Sequence, residues 1–167
     1  MNKIDALLLE MTAYEAGCPA RIQHFFKVHA FSRLIGVQEG LDARTLFTLE
    51  AAACVHDIGI RAAHAKYGRS DGKLQEQEGP ALAQAMLAQL GFDADVTARA
   101  AYLVGHHHTY TEMDGLDYRI LVEADFLVNL FEGEADADAV KSAYDHIFRT
   151  GAGRRLCREM FGLDAAE

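Results

Sequence analysis

The chain has 167 residues, enough to bury a hydrophobic core, and we expect one domain that covers residues 1–167. Half of the residues are hydrophobic and a quarter are charged, as in ordinary globular proteins. The net charge of −9 argues against a nucleic-acid polymer or a membrane surface as a partner, because both attract basic proteins. No apolar run approaches the roughly 20 residues of a membrane span. The three cysteines include no C-x-x-C pair, which favours free thiols and a cytoplasmic location.

Helical signals run through most of the chain and period-2 alternation is not visible, so we predict an all-α helical bundle without a sheet. Pro19 and Pro80 are each expected in the first turn of a helix, and Asp42 and Asp93 are expected to cap helices. A short last helix should follow Thr150. The other predicted helices cover approximately residues 3–15, 19–38, 43–56, 80–90, 94–106, 118–131 and 138–148.

Residues 59–78 show little periodicity and contain several glycines, so a long loop is expected there. Loops of that length in a compact domain are usually functional or disordered. Within it, residues 61–73 carry four cationic side chains against one acid. We expect Lys66, Arg69 and Lys73 to bind a substrate phosphate as part of a mobile lid. The alternative is a solvated surface loop.

Three predicted helices each place a metal-binding side chain on an apolar face. His24 and His56 each continue an apolar stripe, and Asp125 is flanked by apolar residues at spacings of three and four. A buried carboxylate costs several kcal/mol unless a cation or good donors hold it. With Asp57 beside His56, two histidines and two carboxylates form a mixed set that suits divalent Mn, Fe, Co, Ni, Zn or Mg. Taken singly, a buried histidine is more often a hydrogen-bonded core residue, and Asp125 could pair with an arginine.

The ordered set His24, His56-Asp57 and Asp125 resembles the HD-domain superfamily of metal-dependent phosphohydrolases. The resemblance covers roughly residues 20–131 and rests on the segments "RIQHFFKV", "EAAACVHDIG", "GPALAQAMLAQLGFD" and "ILVEADFLVN". It implies an all-helical fold and one divalent metal ion held by these four residues. It also implies the hydrolysis of a phosphate ester of a nucleotide or another small metabolite.

The residues after the "HDIG" segment differ from those of three substrate subgroups of this superfamily. Alarmone hydrolases carry a Glu-Asp pair where this chain has Ile60 and Arg61. Bacterial 5'-deoxynucleotidases have a glutamate at the position of Ile60, and cyclic-dinucleotide phosphodiesterases have a lysine there and a later Gly-Tyr-Pro that is missing here. The resemblance therefore implies none of those three substrates.

Further site residues follow from the same resemblance. Asp57 would orient the nucleophile, and His106 or His107 would donate a proton to the leaving oxygen. A second metal ion would use Glu78, His106 and His107, although the segment "LQEQEGP" lacks the histidine that two-metal members carry there. Two other functions stay open, a two-iron oxygenase and a non-catalytic binding module that the metal stabilises.

Overall fold

The structure, a computed structural model, describes residues 2–163. These residues form nine α-helices and no strand, so the predicted all-α fold is confirmed. The helices are α1 (Lys3–Tyr14), α2 (Pro19–Gln38), α3 (Ala43–Val55), α4 (Gly59–Tyr67), α5 (Gly72–Gln89), α6 (Ala94–Val104), α7 (Leu116–Glu132), α8 (Ala137–His146) and α9 (Gly151–Phe161).

Several helix ends follow the chemistry read from the sequence. Pro19 is the first residue of α2. The Asp42 side chain caps α3 by accepting hydrogen bonds from the backbone N–H groups of Arg44 and Thr45. Asp93 stands at the N-cap of α6 without a capping bond. Its carboxylate instead lies 2.7 Å from Nη1 of Arg44, so it connects the starts of α3 and α6.

The prediction of a long loop over residues 59–78 was wrong, because this segment contains α4 and the first part of α5. The glycines that suggested a loop have other roles. Gly68 ends α4 with a φ of 71°, a left-handed conformation that favours glycine. Asp71 then caps α5 by accepting a hydrogen bond from the Leu74 N–H group. The break between the two helices is therefore only a short connection, residues 68–71.

Pro80 lies inside α5 and not in a first turn, so that prediction was also wrong. Its neighbour Gly79 and the first residue of α4, Gly59, allow the two helix backbones to approach closely. A Cβ atom on Gly59 would lie 2.7 Å from the Gln75 carbonyl oxygen and 2.9 Å from the Gly79 nitrogen. Gly59 thus opens α4 directly against α5, at the start of the segment that was expected to be a loop.

The helix α3 packs against four others, α1, α2, α6 and α7. Its last turns consist of buried residues, from Ala51 to Val55, and most of them are alanines, which let the surrounding helices come close. The helix α7 is buried along most of its length, including its acidic residues Glu123 and Asp125. The C-terminal end of α3 and the middle of α7 therefore meet inside the bundle, where the polar side chains of α2 also arrive.

None of the helices in the described part of the chain is long and apolar enough to cross a membrane. Cys18, Cys54 and Cys157 are free thiols.

We predict that Gly59→Ala destabilises the protein by about 1–3 kcal/mol, because the new methyl group meets backbone atoms that cannot move aside. Gly151→Ala is the matched control, since its Cβ would meet only Glu39 Oε1, at an ordinary 3.5 Å. Chemical denaturation of both variants measures the effect. Equal stability of the two variants would contradict the close packing of α4 on α5.

Candidate metal centre

Four side chains converge inside the bundle from three directions. His24 comes from the second turn of α2, Asp125 from the middle of α7, and His56 and Asp57 from the turn that follows α3. His56 is fully buried, and His24 and Asp125 are 7% and 3% exposed. The structure thus brings together the four residues that the sequence placed on inward faces.

The donor atoms of these side chains lie at distances that fit a shared cation. Nε2 of His24 is 3.2 Å from Nε2 of His56, 3.1 Å from Oδ1 of Asp125 and 3.4 Å from Oδ2 of Asp57. Nε2 of His56 is 3.5 Å from both of these carboxylate oxygens. Ligand bonds of about 2.1 Å give polyhedron edges of about 3.0 Å in an octahedron and about 3.4 Å in a tetrahedron. The five distances are therefore those of neighbouring corners of a coordination sphere, with His24, His56 and Asp57 as one compact group and Asp125 in contact with both histidines.

Neighbouring groups fix which nitrogen of each histidine faces the centre. His56 Nδ1 lies 2.8 Å from the Ala53 carbonyl oxygen, which can only accept, so Nδ1 carries the proton and Nε2 is free to bind a metal. His24 Nδ1 donates to Glu132 Oε2 at 2.7 Å, and Lys27 pairs with the other oxygen of Glu132. Such outer hydrogen bonds orient the rings of metal-binding histidines.

The carboxylates are also held in the form that binds cations. Burial opposes the ionisation of both Asp57 and Asp125, but the nearby histidines outweigh it. They lower the pKa of Asp57 to about 2, and that of Asp125 falls far below its usual range. Asn129, one turn after Asp125 on α7, donates a further hydrogen bond to Asp125 Oδ1 at 2.8 Å.

A second group of candidate ligands, Asp57, His107 and His108, lies directly beside the first. His107 Nδ1 donates to the Val104 carbonyl oxygen at 2.8 Å. Its Nε2 is fully buried, has no hydrogen-bond partner among the described residues and lies 3.4 Å from Asp57 Oδ1. An unpaired buried acceptor facing a carboxylate is unfavourable unless a cation lies between them. Asp57 thus presents Oδ2 to the first group and Oδ1 to the second.

Three helices hold the turn that carries these histidines. The Tyr118 hydroxyl of α7 lies 2.6 Å from the carbonyl oxygen of His106. On α5, Glu76 accepts a hydrogen bond from the His108 N–H group at 3.0 Å, and Gln75 Oε1 lies 3.1 Å from His108 Nε2. The turn follows α6 directly, so its position is tied to α5, α6 and α7.

The structure separates His106 and Glu78 from this centre. The ring of His106 stacks on Tyr102, with centroids 4.1 Å apart, and its Nδ1 donates to the Tyr102 carbonyl oxygen. Glu78 pairs with Lys66 at 3.1 Å and accepts a hydrogen bond from Tyr67 at 2.9 Å. Of the expected Glu78, His106 and His107, the second candidate group therefore contains only His107, which is joined by Asp57 and His108.

The three cations expected to bind phosphate are all exposed. Lys66 pairs with Glu78, and Arg69 lies 3.5 Å from Asp71. None of them, Lys73 included, lines the cleft above the candidate metal ligands. Because residues 61–73 belong largely to two helices, this segment also lacks the long mobile loop on which the lid interpretation depended.

A cleft of about 270 Å³ opens over the candidate ligands. His24 and Asp57 contribute to its lining, together with Ala20, Arg21, Ile60, Gln75, His108, Asn129 and Glu132. Several of these residues were not predicted from the sequence. Arg21 stands three residues before His24 on α2, and Asn129 and Glu132 stand four and seven residues after Asp125 on α7. Helical spacing was thus the available signal for them. No comparable signal existed for Gln75, which lies in the segment read as a loop.

No protein-family model and no curated protein matches the chain. Among solved structures, the chain is similar to the crystal structure of a predicted HD superfamily hydrolase from an uncultured Thermotogales bacterium. The sequences are 26% identical, the TM-score is 0.65, and the match covers 96% of this chain and 84% of the other.

Metal affinity should depend on pH through His24. Burial of the ring lowers its pKa, but the hydrogen bond to Asp125 and the charges of Asp57 and Asp125 outweigh burial and raise the pKa to about 9. A metal ion must displace that proton, so its affinity should fall about tenfold per pH unit for each proton released, as the pH decreases from 9 to 7. Titration of metal-free protein with Mn²⁺ across this range measures the effect.

Glu132→Gln is the informative variant for this dependence, because it removes a carboxylate that raises the pKa of His24 without removing a candidate ligand. Its affinity should begin to fall at a lower pH than that of the parent protein. A parent affinity that stays constant from pH 9 to pH 7 would exclude a protonated His24 in the metal-free site.

Proposed function

Because the chain belongs to the HD-domain superfamily, we propose that it is a metal-dependent hydrolase that acts on phosphate esters of a nucleotide or another small metabolite. The observation that carries the proposal is that Nε2 of His24 and Nε2 of His56 lie 3.2 Å apart, and that each is 3.1–3.5 Å from a carboxylate oxygen of Asp57 and of Asp125, beside an open cleft. These four residues would hold the divalent ion. A nucleic-acid polymer is not proposed as substrate, given the net charge of −9.

A divalent ion at such a site supplies Lewis acidity, which polarises a phosphoryl oxygen and lowers the pKa of water. The protein contributes position and proton transfer. Asp57 stays ionised and has one oxygen toward each candidate ligand group, so it is placed to orient an attacking water molecule. The proposed role of Asp57 in orienting the nucleophile therefore continues the expectation from the sequence.

His108 lines the cleft and would be the proton-transfer residue when no second ion is bound by Asp57, His107 and His108. Gln75 Nε2 donates to the Ser70 carbonyl oxygen, so its Oε1 faces His108 Nε2 as an acceptor and leaves the lone pair of His108 on Nδ1. Burial lowers the pKa of His108 to about 4, which keeps the ring neutral at neutral pH. We assign proton transfer to His108, because His106 points elsewhere and His107 faces Asp57.

A second candidate function is an oxygenase with two iron ions. The observation that favours it is that Asp57 belongs to both candidate ligand groups and has one oxygen toward each, so the chain has residues that would hold two irons. Metal content and oxygen consumption separate the two functions. About two irons per chain with oxygen consumed would favour the oxygenase, whereas hydrolysis of an ester without oxygen consumption would favour the hydrolase.

Loss of a ligand should remove both metal and activity. We expect the protein loaded with Mn²⁺ to hydrolyse p-nitrophenyl phosphate, and His56→Ala and Asp125→Asn to lose most bound metal and fall to the background rate. Elemental analysis and the release of p-nitrophenol are the measurements. His146→Ala, which changes an exposed histidine of α8, is the matched control and should behave as the parent does. Full metal content in both ligand variants would contradict the site. Metal binding by the parent without turnover of any ester would favour the non-catalytic binding module.

The number of ions should depend on His107. If Asp57, His107 and His108 bind a second ion, His107→Ala should reduce the metal content from about two ions per chain to about one. A parent that binds one ion under saturating Mn²⁺, with the same content in the variant, would limit the centre to the first group.

A further inference from the structure

Arg21 lies on the wall of the cleft, one helical turn before His24 on α2. Residues three apart on a helix have Cβ atoms about 5–6 Å apart and share a face. Arg21 and His24 therefore line the same cleft from neighbouring turns of α2. Arg21 stands outside the cationic segment 61–73 and is not among the site residues predicted from the sequence.

A buried carboxylate orients the Arg21 side chain. Nε of Arg21 donates to Oε2 of Glu15 at 2.7 Å, and Glu15 is only 2% exposed. Within residues 2–163 the two terminal nitrogens of the guanidinium, Nη1 and Nη2, make no hydrogen bond. Glu15 thus occupies one side of the guanidinium and leaves donors on the terminal nitrogens available to a ligand.

The other cations near this end of the bundle are engaged. Lys27 pairs with Glu132 at 2.7 Å and lies over the Phe131 ring. Arg61 donates to the Tyr14 carbonyl oxygen and lies over the Tyr14 ring. Among the lysines and arginines of the described residues, Arg21 is the one that lines the cleft.

We propose that Arg21, oriented by Glu15, binds the phosphate group of the substrate, and that this group is a phosphate monoester. The inference rests on the proposed hydrolase function. Arginine binds phosphate by donating to two oxygens at once. A monoester has three non-bridging oxygens, so two can face Arg21 while one faces the candidate metal ligands. A diester has only two, and the arginine and the metal centre would have to share them.

The test uses inorganic phosphate as the probe and full-length protein loaded with Mn²⁺. Isothermal titration should show phosphate affinity falling about 10- to 100-fold in Arg21→Gln, the range expected for the loss of charge-assisted hydrogen bonds. Arg21→Lys retains the charge but not the paired donors. Its phosphate affinity should lie between that of the parent protein and that of Arg21→Gln. Arg155→Gln, an exposed arginine of α9 paired with Glu159, is the matched control and should bind phosphate as the parent does.

Turnover tests the choice of a monoester. Arg21→Gln should lose more kcat/KM on p-nitrophenyl phosphate than on bis(p-nitrophenyl) phosphate, because only the monoester can present two free oxygens to the guanidinium while a third faces the metal. An equal loss on both esters would overturn the monoester assignment.

A purely structural role for Arg21 predicts a different result. If Arg21 only connects α1 to α2 through Glu15, Arg21→Gln would lower the melting temperature and leave the phosphate affinity of the folded protein unchanged. That result, with the metal content intact, would overturn the proposal. Elemental analysis of each variant shows whether weaker phosphate binding arises from loss of the ion, an outcome that would equally contradict a direct contact.

Failure of the proposed function gives a separate pattern. A parent protein that hydrolyses neither ester, but binds phosphate through Arg21, would contradict the hydrolase and retain the anion site. A parent that neither hydrolyses an ester nor binds phosphate would overturn both. Equal rates of monoester hydrolysis by the parent protein and by Arg21→Gln would overturn only the role of Arg21.

Discussion

Two carboxylates and two histidine nitrogens lie close together inside the protein. The carboxylates repel each other and the unprotonated nitrogens lack hydrogen-bond donors, unless a positive charge lies among them. Nε2 of His24 and Nε2 of His56 are only 3.2 Å apart, and hydrogen bonds to neighbouring acceptors place the proton of each neutral ring on the opposite nitrogen. A proton on His24 provides that charge in the metal-free protein, which explains why its pKa rises to about 9 despite burial. A divalent ion provides it more completely, because it can contact all four groups together.

The fold provides the rigid surroundings that such a site requires. The alanine-rich end of α3 brings His56 into the centre of the bundle, and α7 carries Asp125 along a buried helix. Glu132 and Asn129 on α7 hold His24 and Asp125 through their outer atoms. The ligands are thus oriented by groups that are themselves fixed, and little reorganisation should accompany metal binding.

The cleft above the centre is acidic at its base and has one arginine on its wall. Under the proposed function, a small anion in this cleft would contact both a bound ion and Arg21. Gln75 and Glu76 are also relevant, because they belong to α5 and hold His108 in position through hydrogen bonds. The close contact of α4 with α5 at Gly59 and Gly79 therefore influences the site as well as the stability of the bundle.

The sequence by itself determined the helical class, most helix boundaries and the four residues that converge, because helical periodicity depends on spacing along the chain. It failed over residues 59–78, where glycines that serve helix packing resembled loop signals. Tertiary structure alone decided which of the three consecutive histidines face the centre and that Lys66 pairs with Glu78. It also decided that Arg21 lies on the cleft wall. Each of these depends on the direction of a side chain relative to another helix, and local spacing does not encode that direction.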